Sequence, residues 1–196
     1  MAIELRKGDK ISLEKKSGVG LGEIIVNLNW NQGGKGFSLF KKKGVDLDLG
    51  CLYEMKDGNK GCVQALGGAF GNFNKFPFIL LDGDDRTGAS LDGETLRVNG
   101  GRIAQFKRIL IYTFIYEGAA DWRQVDGLVT VKYPGAQDII VRMDEYGSTQ
   151  TMCGIALLEN QNNETFQVSK FVQFFSGHEA MDRAFGWGMR WVAGRK

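Results

Sequence analysis

The sequence predicts an all-β fold, a two-sheet β-sandwich of about ten strands with a short C-terminal helix, and three observations point there. Glycine is abundant at 28 of 196 residues while proline appears twice, a balance that suits many short strands joined by glycine turns. Apolar and polar residues alternate through much of the chain, which is the period of a half-buried strand. Turn residues recur between these runs at the spacing of a sandwich. With 43% hydrophobic residues the chain can bury a sizeable core, and the expected organisation is a single domain over residues 1–196.

Residues 3–16 alternate at Leu5, Ile11 and Leu13 around a Lys7-Gly8-Asp9 turn. Residues 23–30 form a clearer strand, with Ile24, Val26, Leu28 and Trp30 on one face. Gly33, Gly34 and Gly36 make a flexible link, and Lys41, Lys42 and Lys43 a solvated loop tip. In Val45-Asp46-Leu47-Asp48-Leu49, alternation sends three aliphatics to one face and both aspartates to the other. Asp57-Gly58-Asn59 is a hairpin turn into a strand at 62–66, followed by a loop at 67–74 and a strand at 76–81. Strands are expected again at 95–98, 125–133, 138–143, 152–159 and 166–175. Residues 108–116 are the most apolar segment and read as a central strand buried on both faces. The acidic turn at 117–121 follows it. Ser176 and Glu179 have the spacing of a capping box, so a short helix should run to about Gly186. That assigns the sole histidine, His178, to a surface helix start. Trp187, Met189 and Trp191, set among basic residues, are expected to pack onto the sandwich; partner docking or membrane-surface contact is the alternative.

The chemistry concentrates in residues 82–94, where Asp82, Asp84, Asp85, Asp92 and Glu94 crowd a glycine-rich loop whose one opposite charge is Arg86. Each close carboxylate pair costs about 4 kcal/mol at an effective dielectric near 20. A cation would relieve it, and calcium fits best because it takes six to eight hard oxygen ligands, backbone carbonyls included. A solvated acidic turn is the alternative reading. An EF-hand is excluded: with Glu94 at the last ligand position, Gly83 falls where the first aspartate is needed, and the flanks read as strands. Asp46 and Asp48 are spaced to flank one ion or serve two, which makes a two-segment site with the loop.

Other classes find little support. The 25 basic and 23 acidic residues nearly cancel, so no global field announces a nucleic-acid partner. No apolar run is long enough to span a membrane and no leader pattern is seen, so a cytoplasmic location is expected. Cys51, Cys62 and Cys153 form neither a Cys-x-x-Cys pair nor an even set, which suits buried thiols; a reactive thiol is the alternative. Gly18, Gly20 and Gly22 precede a strand, not the helix that a phosphate cradle requires.

Four segments, in order, resemble the TerD superfamily of tellurium-resistance and stress-response proteins, and within it the TerA-like branch. Residues 5–15 resemble the family opening, and Leu28-Asn29-Trp30-Asn31 resembles its Leu-Gly-Trp-Asp element. Val45-Asp46-Leu47-Asp48 matches its Asp-Leu-Asp strand, and Gly83-Asp84-Asp85-Arg86-Thr87-Gly88 resembles its Gly-Asp-Asn-x-Thr-Gly loop. The resemblance implies a non-enzymatic, bacterial, calcium-binding β-sandwich with protein partners from the same stress-response system. It also implies Asp46, Asp48, Asp84, Asp85, Asp92 and Glu94 as ligands, with Asp82 and Thr87 as further candidates. Residues 89–94 are one residue shorter than the family loop and lack one of its carboxylates, and Asn31 stands where the family has aspartate. Fewer ions, or weaker binding, would follow. The other readings of the same acidic cluster are a metal-dependent enzyme acting on phosphate esters, and a calcium-dependent module for anionic ligands or membrane surfaces.

Overall fold

The computed structural model describes residues 2–14, 20–30, 45–82, 93–117, 122–144 and 149–194. Among them two sheets face each other. The first runs β1 (Ile3–Leu5), β11 (Ile139–Arg142), β10 (Leu128–Lys132), β3 (Glu23–Asn29), β8 (Glu94–Asn99), β7 (Ile79–Leu81), β6 (Gly71–Asn72). The second runs β2 (Lys10–Ser12), β13 (Thr165–Phe175), β12 (Met152–Gln161), β9 (Phe106–Glu117), β4 (Asp46–Met55), β5 (Lys60–Gln64). Pairing is antiparallel except between β1 and β11.

Alternation sets what each sheet buries. Ile24, Val26 and Leu28 of β3 and Leu96 and Val98 of β8 turn inward, where they meet Leu47, Leu49, Cys51 and Met55 of β4. Fully burying each such aliphatic contributes about 1.5–3 kcal/mol. The outer face of the second sheet is covered too. Helix α1 (His178–Phe185) and the segment after it pack on Leu52, Leu110, Tyr112, Phe114 and Met152, with Trp187 fully buried among them. This third layer is why β9 is buried on both faces, as its apolar run predicts, and why β4 is buried from Leu47 to Met55. The aromatic tail packs onto the sandwich as expected.

Several boundaries differ from the sequence reading. The expected strand at 76–81 starts at Ile79, because Phe78 has φ +61° and its N–H closes a turn onto the Lys75 carbonyl at 2.6 Å. The loop at 67–74 contains β6. Residues 3–16 supply two strands, one to each sheet, so the described residues hold thirteen strands against about ten expected. The capping box does not form: Gly177 is the N-cap and no side chain caps the helix. Gly186 ends it in the left-handed conformation, where glycine carries no Cβ penalty. The predicted link at 33–36 and loop tip at 41–43 lie outside the described residues.

Candidate functional site

One end of the sandwich gathers the chain's acidic segments. There β3 ends, β4 begins, β7 leads out to residues 83–92, β8 returns from them, and β9 ends. Asp82 N–H donates to the Thr95 carbonyl at 2.9 Å, closing the base of this excursion. Gly93 re-enters with φ +67°, and a Cβ there would lie 2.0 Å from the Leu28 carbonyl oxygen, so no other residue can pass so close to β3. Trp30 Nε1 donates to the Val45 carbonyl at 3.0 Å and ties the end of β3 to the start of β4 in the opposite sheet.

Within this frame Glu94 shares the inward parity of Leu96 and Val98, so its carboxylate is buried between the sheets. Its Oε2 accepts the Leu49 N–H at 2.5 Å. Strand β5 pairs with β4 only from Gly50 to Glu54, and the Glu94 carboxylate reaches across from the other sheet to the peptide just beyond that pairing. Asp48, the residue before that peptide, is fully buried. It shares the outer-face parity of Gly50 and Leu52, opposite to Leu47 and Leu49, as the alternation predicts. Asp46, half-buried, is the register partner of Glu117 of β9, beside a bulge in the pairing between Asp46 and Leu47, so two acidic residues stand across from each other. Like charges so placed destabilise a sheet.

The structure therefore brings Asp46, Asp48 and Glu94 to one end and adds Glu117, which the sequence places in the acidic turn after the central strand. Asp82 sits apart. Its carboxylate is exposed and lies 3.7 Å from the Arg97 guanidinium, which also bonds Glu23 on the far face of the first sheet. Asp84, Asp85, Thr87 and Asp92 lie outside the described residues. No three described His, Cys, Asp or Glu side chains are grouped closely enough to hold a metal ion. The described oxygens that this end offers to an ion are carboxylates of β4 and β8. That donor set suits calcium or magnesium rather than a soft metal.

The opposite end of β4 and the outer face of the second sheet are built differently. Glu54 is buried and accepts from Lys107 Nζ at 2.8 Å and Arg108 Nε at 2.6 Å. Burial pulls its pKa upward, but these two cations outweigh it and hold the carboxyl below its ordinary value. Arg108 also stacks 3.8 Å over the Trp187 ring and donates to the carbonyls of Phe185, the last residue of α1, and of Gly186, its C-cap. Asp182, buried in α1, accepts the N–H groups of Gly188 and Met189 at 2.7 and 3.0 Å and Trp191 Nε1 at 3.1 Å. These bonds pin the segment that follows the helix.

Between that segment and β5 lies a cavity of about 570 Å³, lined by Lys60, Cys62, Gln64, His178, Arg190 and Trp191 among others. Tyr112 crosses Gly50, where a Cβ would fall 2.6 Å from its ring, and donates its hydroxyl to Gln64 Oε1 at 2.6 Å. His178 Nε2 donates to the same oxygen at 2.8 Å. His178 is thus half-buried on the cavity wall and not freely exposed: its ring packs against Tyr112, Phe114 and Trp191, and burial pushes its pKa down to about 4. Cys51 and Cys153 are buried as expected, whereas Cys62 is half-buried on the cavity wall. Burial raises the pKa of Cys51 and of Cys62, so neither is an activated thiolate. The sequence reading missed this cavity. Its signal was the alternation Lys60, Cys62, Gln64 on one strand face, which has meaning only with a tail lying across it.

The TerD domain family model matches residues 1–142. The tellurium resistance protein TerA of Alcaligenes sp. is 46% identical over 191 residues, 95% of this chain and 56% of the relative. The chain thus spans a little over half the length of that curated relative. Among solved structures, a homologue of the telluride resistance protein TerD from Streptomyces coelicolor A3(2) aligns with a TM-score of 0.57 at 16% identity. That alignment covers 83% of this chain and 95% of the other. A crystal structure of a protein of unknown function aligns with a TM-score of 0.58 at 12% identity, covering 88% and 100%. Both likenesses concern the fold.

Proposed function

The chain belongs to the TerD domain family, and from that premise we propose that it is a calcium-binding, non-enzymatic module of a tellurium-resistance or related stress response. The observation that carries the reading is that Asp46, Asp48 and Glu94, from two strands in opposite sheets, all lie at the end of the sandwich where residues 83–92 leave and return, Asp48 on the outer face of β4 and Glu94 between the sheets. Asp46 is the register partner of Glu117 there, and Glu94 lies at the peptide after Asp48, so a divalent cation at this end would find hard carboxylate oxygens from both sheets. Asp84, Asp85, Asp92 and the Thr87 hydroxyl are the further oxygens the sequence supplies in that loop. Asp82, engaged by Arg97, is the weakest candidate of the set.

In this reading the ion's work is electrostatic and mechanical: it neutralises the carboxylates and holds the loop against the ends of β4 and β8, leaving a fixed surface for partner proteins. Asp46 and Asp48 supply oxygens from the rigid second sheet. Glu94 couples the two sheets at the same point, since one of its oxygens already holds Leu49 N–H.

The test is thermal unfolding of chelator-treated protein with added calcium, with magnesium as control, beside the Asp48→Asn/Glu94→Gln variant. At 100 times its dissociation constant a native-state ligand stabilises by about 2.7 kcal/mol. For a chain of this size that is a rise of about 5–10 °C in Tm. A calcium-selective rise that the variant lacks is expected; equal melts with and without calcium would overturn the reading.

A further inference from the structure

We propose that the cavity between β5 and the C-terminal segment is a binding site for a small organic anion with a flat apolar body, separate from the acidic end of the sandwich. The volume comes first: about 570 Å³ is within the roughly 300–1,000 Å³ of small-molecule pockets.

The walls are fixed before any ligand arrives. The three N–H groups held by Asp182 lock the segment carrying Met189 and Trp191, and Trp187 anchors its start through Nε1 to the Tyr53 carbonyl at 3.1 Å. On the other side Gln64 is held from three directions. It accepts from Tyr112 and His178 and donates its own Nε2 to the Leu66 carbonyl at 3.2 Å. A cavity bounded by such groups needs little ordering on binding, which is the main cost of affinity for a small ligand.

The lining then selects the occupant. It contains two cations, Lys60 and Arg190, and no carboxylate. Of the two buried carboxylates beside it, Glu54 is held closely by Lys107 and Arg108 and more distantly, at 3.8 Å, by Lys60, and Asp182 is held by the tail amides. His178 stays neutral through the physiological range, because burial lowers its pKa to about 4. The rest of the wall is Trp191, Met189, Leu66 and small residues, which favours a flat apolar body over a compact hydrated ion. Lys60 Nζ donates to the Trp187 carbonyl at 2.6 Å and lies 3.8 Å from Glu54 Oε1, so it is held at the wall beside a carboxylate that Lys107 and Arg108 already engage, three cations to one carboxylate. Arg190 is exposed at the rim. Charge and shape together ask for an aromatic or similarly flat molecule bearing a carboxylate, sulfonate or phosphate.

Cys62 makes this testable with a reporter already in the wall. Cys51 and Cys153 are fully buried, so neutral iodoacetamide reads Cys62. The probe is 8-anilinonaphthalene-1-sulfonate, and its uncharged counterpart is N-phenyl-1-naphthylamine. The sulfonate should bind with one-to-one stoichiometry, at least tenfold tighter than the uncharged probe, and should slow Cys62 alkylation at least fivefold at saturation. Lys60→Gln/Arg190→Gln should weaken sulfonate binding at least tenfold with Tm retained, since glutamine can still donate to the Trp187 carbonyl. Should that pair lower Tm, Arg190→Gln alone at the exposed rim is the readout, with at least threefold weaker binding expected. No sulfonate binding, equal affinity for both probes, unchanged affinity in the variants, or unprotected Cys62 at saturation would each overturn the proposal.

Discussion

On the tail-covered face of the second sheet, buried charge meets its complement within the chain: Glu54 lies between Lys107 and Arg108, and Asp182 gathers three N–H groups. At the acidic end the chain sets like charges together instead, with Asp46 opposite Glu117 and Glu94 at the peptide after Asp48. Both regions border β4, so neither strand position nor burial explains the difference. In the first region the partners are cations and amides of the chain, whereas the second, in the calcium reading, takes a further cation from solution. The stability of one should therefore ignore calcium and that of the other should follow it.

The largest effect belongs to the self-contained region. Trp187 is fully buried, stacks under Arg108 and donates to the Tyr53 carbonyl, so Trp187→Ala should cost about 3–5 kcal/mol. Urea unfolding with and without calcium should give the same loss. A loss that changes with calcium would show that the two regions are coupled through β4. Next in size is a pH effect on the same face. His178 has a folded pKa of about 4 against an ordinary 6.5, so between these values the unfolded chain binds a proton that the folded chain does not. Stability should be full above pH 6.5, fall by about 1.4 kcal/mol per unit as pH drops toward 4, and level off below, a total of about 3 kcal/mol. His178→Gln should flatten that part of the profile. A profile unchanged by the substitution would mean that the ring is not shielded from water as its packing indicates.

A smaller effect probes how the cavity floor is held. At Gly50 an added Cβ would meet the Tyr112 ring at 2.6 Å, so Gly50→Ala should cost about 1–3 kcal/mol. It should also displace the Tyr112 hydroxyl from Gln64, and the alkylation rate of Cys62 should rise with the loss of order. Stability and labelling both at the parent value would mean that the ring moves aside without disturbing the floor.

Much of this comparison was legible in the sequence, and its limits have physical causes. Alternation at residues 24–28 and 45–49 places inward and outward residues correctly because a period of two admits one burial pattern per strand. The apolar run at 108–116 announces a strand covered on both faces, but not by what. The cover is α1 with Trp187 and Trp191, some seventy residues later in the chain. That non-local packing is also why His178 looks like a surface helix start and is instead enclosed by rings from β9 and the tail. Ser176 and Glu179 have the right spacing for a capping box, yet the helix begins one residue after Gly177, so local pattern yields to where β13 delivers the chain. At the acidic end the residue types single out Asp46, Asp48 and Glu94, which the fold places at one end. The opposition of Asp46 to Glu117 and the reach of Glu94 across the sheets depend on register, which composition does not contain.

The smallest effect is the most discriminating, because its sign should reverse. Asp46 and Glu117 are paired across β4 and β9, and like charges directly opposite cost about 0.2–1 kcal/mol. Without calcium, Asp46→Asn keeps the shape and removes one charge of the pair, so the variant should be slightly more stable than the parent. With saturating calcium the parent gains a ligand oxygen that asparagine supplies less well, so the variant should become the less stable of the two. The crossing is read by unfolding parent and variant side by side in chelator and in calcium. It requires no estimate of absolute stability, because each protein is its own control. A shift of the same sign in both conditions would leave Asp46 as an ordinary strand residue and remove the second sheet's first contribution to the ion. Glu94 and Asp48 would then have to act without it. Lys107→Ala at the other end of β4 supplies the contrast: it removes a cation from Glu54, so its cost should keep one sign and one size with or without calcium.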